Sequence, residues 1–451
     1  MGKLFGTDGV RGIANRELTC DLAFKIGQAC AYVLTKAAHG KPKLVVGKDT
    51  RISGDMLESA LIAGFCSVGA SAIKLGVIPT PAVAYLTRMY KADAGVVISA
   101  SHNPMEYNGI KFFNSEGFKL SDSIEEEIED IVLNGKFDLI KKCEGDKVGK
   151  VTREENGLVD YVRFVKSTVD CNFEGMKIAV DCANGATYLT AGKALAGTGA
   201  SLLVFNNYPD GGNINKMCGS TYPDGLCSMV KGTKFDAGIA FDGDGDRMIA
   251  VDENGEVVDG DVVMAICAEY MLKEGKLKND MLVATVMSNL GLTLAGEKYG
   301  YTVKQTAVGD RYVLEEMIRS GANLGGEQSG HIIFLDYNTT GDGLVSAFQL
   351  LSVMKKTGKP LSILAKEAMM SLPQVIVNVK VNKEIKEKIK NDKTLAEMVK
   401  SAEESLNGCG RVLIRPSGTE PVVRVMLEGE NKEVLEKEAN EIATYIERKM
   451  A

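Results

Sequence analysis

"ADAGVVISASHNP" at residues 92–104 decides the fold, because "FDAGIAFDGDGDR" at 235–247 echoes it. Both run Asp-Ala-Gly, then a short apolar stretch, then a polar loop rich in hydroxyls or carboxylates. An apolar run of that length bounded by turn residues reads as a buried strand. "GANLGGEQSGH" at 321–331 is a looser third copy. Ahead of each copy lies a segment of another kind: "KLVVGKDTRISG" (43–54), "KIAVDCANGATY" (177–188) and "MLVATVMSNLG" (281–291). Each predicts a buried strand, a polar turn and the start of a helix. Strands alternating with helical sequence indicate α/β units. Three tandem copies of one unit account for 451 residues better than one large domain does.

The pattern changes from about Leu372. "PQVIVNVKV" reads as a strand, 383–407 as charged and helix-forming, "GRVLIRPSGTEPVVRVMLEG" as strand, turn and strand, and 432–450 as a closing helix. The expected fold is therefore α/β: three tandem related α/β domains, each a mixed sheet between helices, plus a C-terminal α+β domain, around one central cleft. The expected boundaries are 1–153, 154–254, 255–370 and 371–451. Ligands of open α/β sheets sit at the carboxyl ends of strands. Three different polar loops facing one cleft would build a single active site.

Composition narrows the class. Apolar residues make up 45% and charged residues 25%, as in ordinary globular chains. The net charge of −7 and the lack of a long basic stripe argue against a nucleic-acid partner. An anionic small molecule stays open, since local Arg clusters override the global sign. No apolar run approaches the roughly 18 residues of a membrane span. The stretch "MGKLFGTDGVRG" has no apolar signal-peptide core, and Gly6 stands where a myristoylation signal takes Ser or Thr. Ten cysteines without a CxxC pair suggest neither a zinc ribbon nor a disulfide framework. The expectation is a cytoplasmic protein with reduced thiols. The three histidines, His39, His102 and His331, are few enough that each invites a role.

Asp242, Asp244 and Asp246 alternate with glycines that permit a tight loop, in which three carboxylates can converge. Close carboxylates repel unless a cation sits among them, and all-oxygen ligation suits Mg²⁺. An EF-hand is disfavoured: Arg247 stands where that loop needs Gly, and the preceding "DAGIAF" reads as strand. Ser101 follows a buried strand. It lacks a G-x-S-x-G elbow, and neighbours in an extended chain point to opposite faces, which places His102 poorly as its base. Phosphoryl transfer needs positioning and charge neutralisation more than a base, so a hydroxyl or phosphate at Ser101 beside a three-Asp metal site fits. Lys111 would neutralise charge there, and would transfer a proton if its pKa were lowered. Arg11, among glycines, suits a phosphate. Glu327, Ser329 and His331 alternate, so one side of their loop would offer acceptor, hydroxyl and imidazole to a sugar. Arg415, Ser417, Gly418 and Thr419, with Arg424 on the next strand, would form a phosphate cradle. The bland readings (solvated turns, a Gly-rich hairpin tip, a loop Ser bonding its own backbone) remain for each loop taken alone.

Together, "GTDGVRG", "SASHNP", "DGDGDR", "GEQSGH" and "RPSGTEP" resemble the α-D-phosphohexomutase superfamily, in its order and at similar spacing, along the whole chain. Gln328 and the "GKLFGTDGVRG" start favour its glucosamine-phosphate branch. The resemblance implies a phosphoserine at Ser101. It implies Mg²⁺ on Asp242, Asp244 and Asp246, with a phosphoserine oxygen completing the shell. Glu327 and Ser329 would hold sugar hydroxyls, and Arg415, Ser417, Gly418, Thr419 and Arg424 the non-reacting phosphate. Lys111, His331 and Arg11 match positions of proton transfer and phosphate stabilisation, while His102 would support the loop or the phosphate. Arg247 joins the substrate-binding set. So does "TAVGDRYV" (306–313), through Thr306, Gly309 and Arg311. Relatives acting on glucose or mannose often carry a Lys in that segment; here Asp310 and Arg311 stand there, and which takes the role stays open.

The implied activity interconverts glucosamine 6-phosphate and glucosamine 1-phosphate through a 1,6-bisphosphate. It would feed UDP-N-acetylglucosamine and cell-wall synthesis, with glucosamine or glucose 1,6-bisphosphate as phosphorylating activator. The expected partner is a small-molecule hexosamine phosphate, with neither nucleic acid nor membrane, and a homodimer is the candidate assembly. The rivals are a mutase of glucose and mannose phosphates, a Mg²⁺-dependent sugar phosphatase and a non-catalytic sugar-phosphate sensor.

Overall fold

The computed structural model describes residues 4–6, 8–36, 41–382, 389, 392–406, 410–416 and 422–449. His39 lies outside the described residues, as do Ser417, Gly418 and Thr419 of the expected cradle.

Three sheets repeat one four-strand order. In the first, Lys43–Lys48 lies between parallel strands Ser71–Val77 and Ala94–Ile98, and Tyr107–Asn114 pairs antiparallel to Ala94–Ile98. In the second, Lys177–Asp181 lies between Ser201–Phe205 and Ala237–Phe241, with Met248–Asp252 antiparallel at the end. In the third, Met281–Thr285 lies between Thr302–Thr306 and Leu324–Gly326, followed by antiparallel Ile332–Phe334. Val10–Ile13 and Val151–Arg153 extend the first sheet, and Val257–Val258 the second. The strands Ala94–Ile98 and Ala237–Phe241 are buried throughout, as strands covered on both faces must be.

The sequence echo has a packing cause. Asp93, Asp236 and Asn323 each precede the third strand of their unit. Their side chains accept the backbone N–H of Lys43 at 2.8 Å, Lys177 at 2.7 Å and Lys278 at 2.9 Å, tying that strand to the chain entering the first. The glycine two residues on lies under a helix. A Cβ on Gly95 would fall 2.2 Å from Thr87 Oγ1, on Gly238 2.9 Å from Leu226 Cδ1, and on Gly325 2.7 Å from Met317 Sδ. The helices Thr80–Met89, Asp224–Thr233 and Asp310–Ser320 approach so closely because no side chain intervenes. As a result, the loop joining third and fourth strands falls at the same place in each unit. These are the loops of Ser101, of Asp242 to Asp246, and of Glu327 to His331.

The chain divides into two compact units, Met1–Met287 with Tyr301–Ala368, and Ser288–Gly300 with Met369–Ala451. The three repeated sheets belong to the first. In the second, Val422–Glu428 is the middle strand of an antiparallel sheet with Gln374–Lys380 and Arg411–Pro416. Helices Lys393–Ser405 and Lys432–Arg448 complete an α+β core around Val379, Val425, Leu435 and Ile442. Helix Leu290–Tyr299 belongs to this unit too, its Leu290 N–H donating to Glu428 Oε1 at 2.9 Å. No helix among the described residues is long and apolar enough to cross a membrane.

Candidate active site

Ser101 closes the strand Ala94–Ile98 in a buried turn, with φ +51. A non-glycine residue in that region is held there by its surroundings. Its Oγ donates to Asp242 Oδ2 at 2.6 Å. The extended-chain expectation for His102 is corrected here: the left-handed turn brings His102 Nδ1 to 3.5 Å from Ser101 Oγ. The imidazole is nevertheless closer to Arg247 Nη1, at 3.2 Å. Burial, then the positive charges of Arg247 and Arg11, push His102 down to about 4. It is neutral at pH 7, and the Ser101 proton points to Asp242 instead.

The DGDGDR loop is closed by the Gly245 N–H donating to the Asp242 carbonyl at 3.1 Å. All three carboxylates are buried, with ligand oxygens within 4.8 Å of one another. Burial, then repulsion from Asp246 and Asp244, pushes the Asp242 carboxyl well above its ordinary range. Asp244 Oδ1 and Asp246 Oδ1 are buried with no hydrogen-bond partner among the described residues. Unpartnered buried oxygens are costly, and a hard divalent cation would satisfy them while cancelling the repulsion. The donor set therefore fits a metal ion of that kind.

Around these carboxylates runs a closed circuit in which acidic side chains alternate with Lys111, Lys119 and His331. Lys111 Nζ is 2.8 Å from Asp244 Oδ2 and 2.9 Å from Asp8 Oδ2. Lys119 Nζ bridges Asp8 Oδ1 and Asp310 Oδ2, each at 2.5 Å. His331 stands between Asp310 and Asp246, with its ring nitrogens 3.5 Å from each. Lys111, 3.9 Å from Asp246 Oδ2, completes the circuit. Burial works against the Lys111 charge, but Asp244, Asp8 and Asp246 outweigh it and hold the ammonium above the ordinary lysine range. His331 is raised as well: burial lowers it, and the bond to Asp246 and the charges of Asp246 and Asp310 prevail. Arg11 joins through an ion pair with Asp8.

The sugar-loop reading changes in detail. Glu327 and Ser329 stay together, Ser329 Oγ lying 3.5 Å from Glu327 Oε2, and Gly309 N–H donates to Glu327 Oε1 at 3.2 Å. His331 does not share their side. Gly330 turns the chain at φ +89, and the His331 ring enters the buried circuit against Gly341, whose N–H donates to His331 Nε2 at 3.1 Å. Arg247 faces both loops: its backbone N–H donates to Asp242 Oδ1 at 3.2 Å, and Asp246, Asp242 and Glu327 hold its guanidinium charged against burial. Thr306 ends its strand with Oγ1 on the Ala307 carbonyl at 3.0 Å. Of the two residues left open, Asp310 faces the circuit. Arg311 turns away, to Asp122 and to Glu315 Oε1 at 2.9 Å. In the second unit, Arg415 and Arg424 are register partners on neighbouring strands.

Sequence reasoning missed Asp8 and Lys119. Asp8 stands inside "GTDGVRG", and a carboxylate three residues from Arg11 in a Gly-rich segment was the available signal. Lys119 carries none, because its partners are distant in sequence.

Four family models match in chain order. Those of phosphoglucomutase/phosphomannomutase alpha/beta/alpha domains I, II and III match residues 2–139, 159–255 and 259–372, and that of the C-terminal domain matches 376–444. A phosphoglucosamine mutase of Clostridium novyi is 60% identical over 449 residues, covering 100% of this chain and 99% of that one. One of Alkaliphilus oremlandii is 59% identical, covering 100% of both. Among solved structures, a phosphoglucomutase/phosphomannomutase family protein of Burkholderia thailandensis superposes with TM-score 0.83 at 22% identity, over 100% of this chain and 99% of that one. An Aspergillus fumigatus N-acetylphosphoglucosamine mutase, solved with GlcNAc-6P and magnesium, gives TM-score 0.73 at 17% identity, over 99% and 96%. The shared four-strand units and the full-length identity lead to one conclusion: the chain belongs to the phosphoglucosamine mutases of the α-D-phosphohexomutase superfamily.

Proposed function

We propose that the chain interconverts glucosamine 6-phosphate and glucosamine 1-phosphate, with Ser101 as phosphoryl carrier. One observation carries this reading: a buried serine in a left-handed turn, its Oγ 2.6 Å from one of three converging aspartates. The names of relatives at 56–60% identity support the choice of sugar.

In the first half-reaction the phosphoserine P–Oγ bond breaks and a P–O bond forms to the free sugar hydroxyl. That hydroxyl loses its proton, and Ser101 Oγ recovers one. The resulting 1,6-bisphosphate reorients, and Ser101 takes back the other phosphoryl group with the proton moving the opposite way. Asp242, Asp244 and Asp246 would hold Mg²⁺, which supplies charge neutralisation for the transferring group. Lys111, kept cationic, adds a second positive charge at the same place. His331, between two carboxylates, is placed to hold a proton. Arg11 and Arg247 suit phosphoryl oxygens, and the neutral His102 supports Arg247. Glu327 and Ser329, with Gly309, whose N–H donates to Glu327, and Thr306, suit sugar hydroxyls. Arg415 and Arg424, with Ser417, Gly418 and Thr419, suit the non-reacting phosphate. A sugar 1,6-bisphosphate serves as activator by phosphorylating Ser101. A homodimer in the cytoplasm completes the reading.

Relative kcat/KM on the 6-phosphates of glucosamine, glucose and mannose tests it. Glucosamine 6-phosphate should lead by at least about tenfold, the worth of one well-made polar contact. A lead for glucose or mannose would place the chain with the other mutases instead.

A further inference from the structure

The turn "KDTRISG" at 48–54 has no role so far, yet its buried Arg51 is held between Asp49 and the carbonyls of the Ser101 loop. Arg51 Nε donates to Asp49 Oδ2 at 2.9 Å. Its Nη2 donates to the carbonyls of Ser101 at 2.9 Å and Asn103 at 2.7 Å, and Nη1 reaches the Pro104 carbonyl. Asn215, from the second α/β repeat, approaches from elsewhere: its Nδ2 donates to the Ser101 carbonyl at 2.9 Å and the Asn103 carbonyl at 3.2 Å. The N–H of Ser101 is fixed too. It donates to Ser99 Oγ at 3.0 Å, and Ser99 Oγ donates to Asp49 Oδ2 at 2.5 Å. The peptide groups on both sides of Ser101 are therefore pinned, through Asp49 and Arg51 on one repeat and Asn215 on the other.

Asn215 also borders the acidic loop. A Cβ on Gly243, between Asp242 and Asp244, would fall 2.7 Å from Asn215 Nδ2 and 2.5 Å from the Ser101 carbonyl. One amide thus spaces the serine turn from the carboxylate turn.

We propose that Arg51 and Asn215 are positioning residues: they hold Ser101 in its left-handed conformation and so set the reach of its Oγ toward the acidic loop. This rests on Ser101 being the phosphoryl carrier. A carrier serine must give and receive at one place twice per cycle, and a misplacement of about 1 Å costs on the order of 100-fold. A serine released from the left-handed region relaxes to negative φ and carries Oγ away from Asp242.

Asn215 has φ +57, which glycine and aspartate also accept, so Asn215→Gly and Asn215→Asp remove the amide donor without straining the backbone. Ser99→Ala, which releases the Ser101 N–H, is an independent arm. The readout is the single-turnover rate of Ser101 phosphorylation by glucose 1,6-bisphosphate with Mg²⁺, alongside KM for glucosamine 6-phosphate and Tm. The rate should fall at least about tenfold in both Asn215 variants and several-fold in Ser99→Ala, with KM within about twofold of wild type. Asn215→Gly should keep the wild-type Mg²⁺ concentration for half activity. Wild-type phosphorylation rates in the folded variants, or losses that only follow the unfolded fraction, would overturn the inference. If wild-type protein takes no phosphoryl group on Ser101, the carrier reading itself fails, and that result is separate.

Discussion

The Lys111 ammonium lies 2.8 Å from Asp244 Oδ2, and neither side chain is more than 2% exposed. A buried pair of this kind says little about net stability while intact, but breaking it leaves an uncompensated charge. Lys111→Met removes the ion-pair partner of Asp244, while Asp8 keeps Lys119 and Arg11. It should lower stability by about 3–5 kcal/mol without divalent metal and by less with it. It should also cut kcat by about 10²–10³, the usual range for a group that stabilises charge in the transition state. Urea unfolding with and without Mg²⁺, beside steady-state rates, checks both.

The three aspartates repel one another in the metal-free protein. Mg²⁺ should therefore raise Tm, reaching about 2.7 kcal/mol of stabilisation at a hundred times its dissociation constant. EDTA should reverse the rise. Asp246→Asn should raise the Mg²⁺ needed for half activity and shrink the thermal shift. An equal shift in the variant would place the metal elsewhere.

The glycine of each Asp-Ala-Gly echo is a packing requirement. In Gly95→Ala the new Cβ would fall 2.2 Å from Thr87 Oγ1 and 3.2 Å from Val83 Cγ1, two side chains of the covering helix that must then shift. Overpacking of that order costs about 1–3 kcal/mol. Gly175→Ala, where nothing lies within 4 Å but φ is +84, tests backbone strain alone and should cost about 1 kcal/mol. Chemical denaturation separates the two.

Stability should also depend on pH through Glu125. Burial pushes its carboxyl up to about 7, with Arg311 opposing and Asp122 adding to the rise. The folded chain therefore binds the proton more tightly than the unfolded chain, whose Glu titrates near 4.5. Stability falls as pH rises from the unfolded value to about 7, and the cost is complete above that. Glu125→Gln should stabilise by about 1 kcal/mol at pH 8, after allowance for solvent screening, and by little at pH 4.5. Unfolding curves at the two pH values give the comparison.

The repeat was legible because it rests on local chemistry that sequence displays: an Asp or Asn that ties strands, a Gly that admits a helix, and a polar loop at the strand's end. Asp242, Asp244 and Asp246 were legible because alternation with Gly leaves a tight turn as their natural form. What escaped depends on backbone dihedrals or distant partners. An extended reading of Ser101 and His102 failed because Ser101 turns the chain at φ +51. Alternation from Glu327 to His331 failed because Gly330 turns the chain at φ +89. Lys119 and Asn215 join residues from different repeats, and Arg51 reaches a loop about fifty residues on; no local pattern marks such contacts.

The central claim is that Ser101 carries the phosphoryl group between two sugar oxygens. The direct measurement is intact mass and peptide mapping after incubation with glucose 1,6-bisphosphate and Mg²⁺, followed by glucosamine phosphate. The account predicts an adduct of about 80 Da on Ser101, the mass of one phosphoryl group, that moves into a sugar bisphosphate when glucosamine phosphate is added. No adduct on Ser101, or an adduct that leaves only as inorganic phosphate, would contradict it.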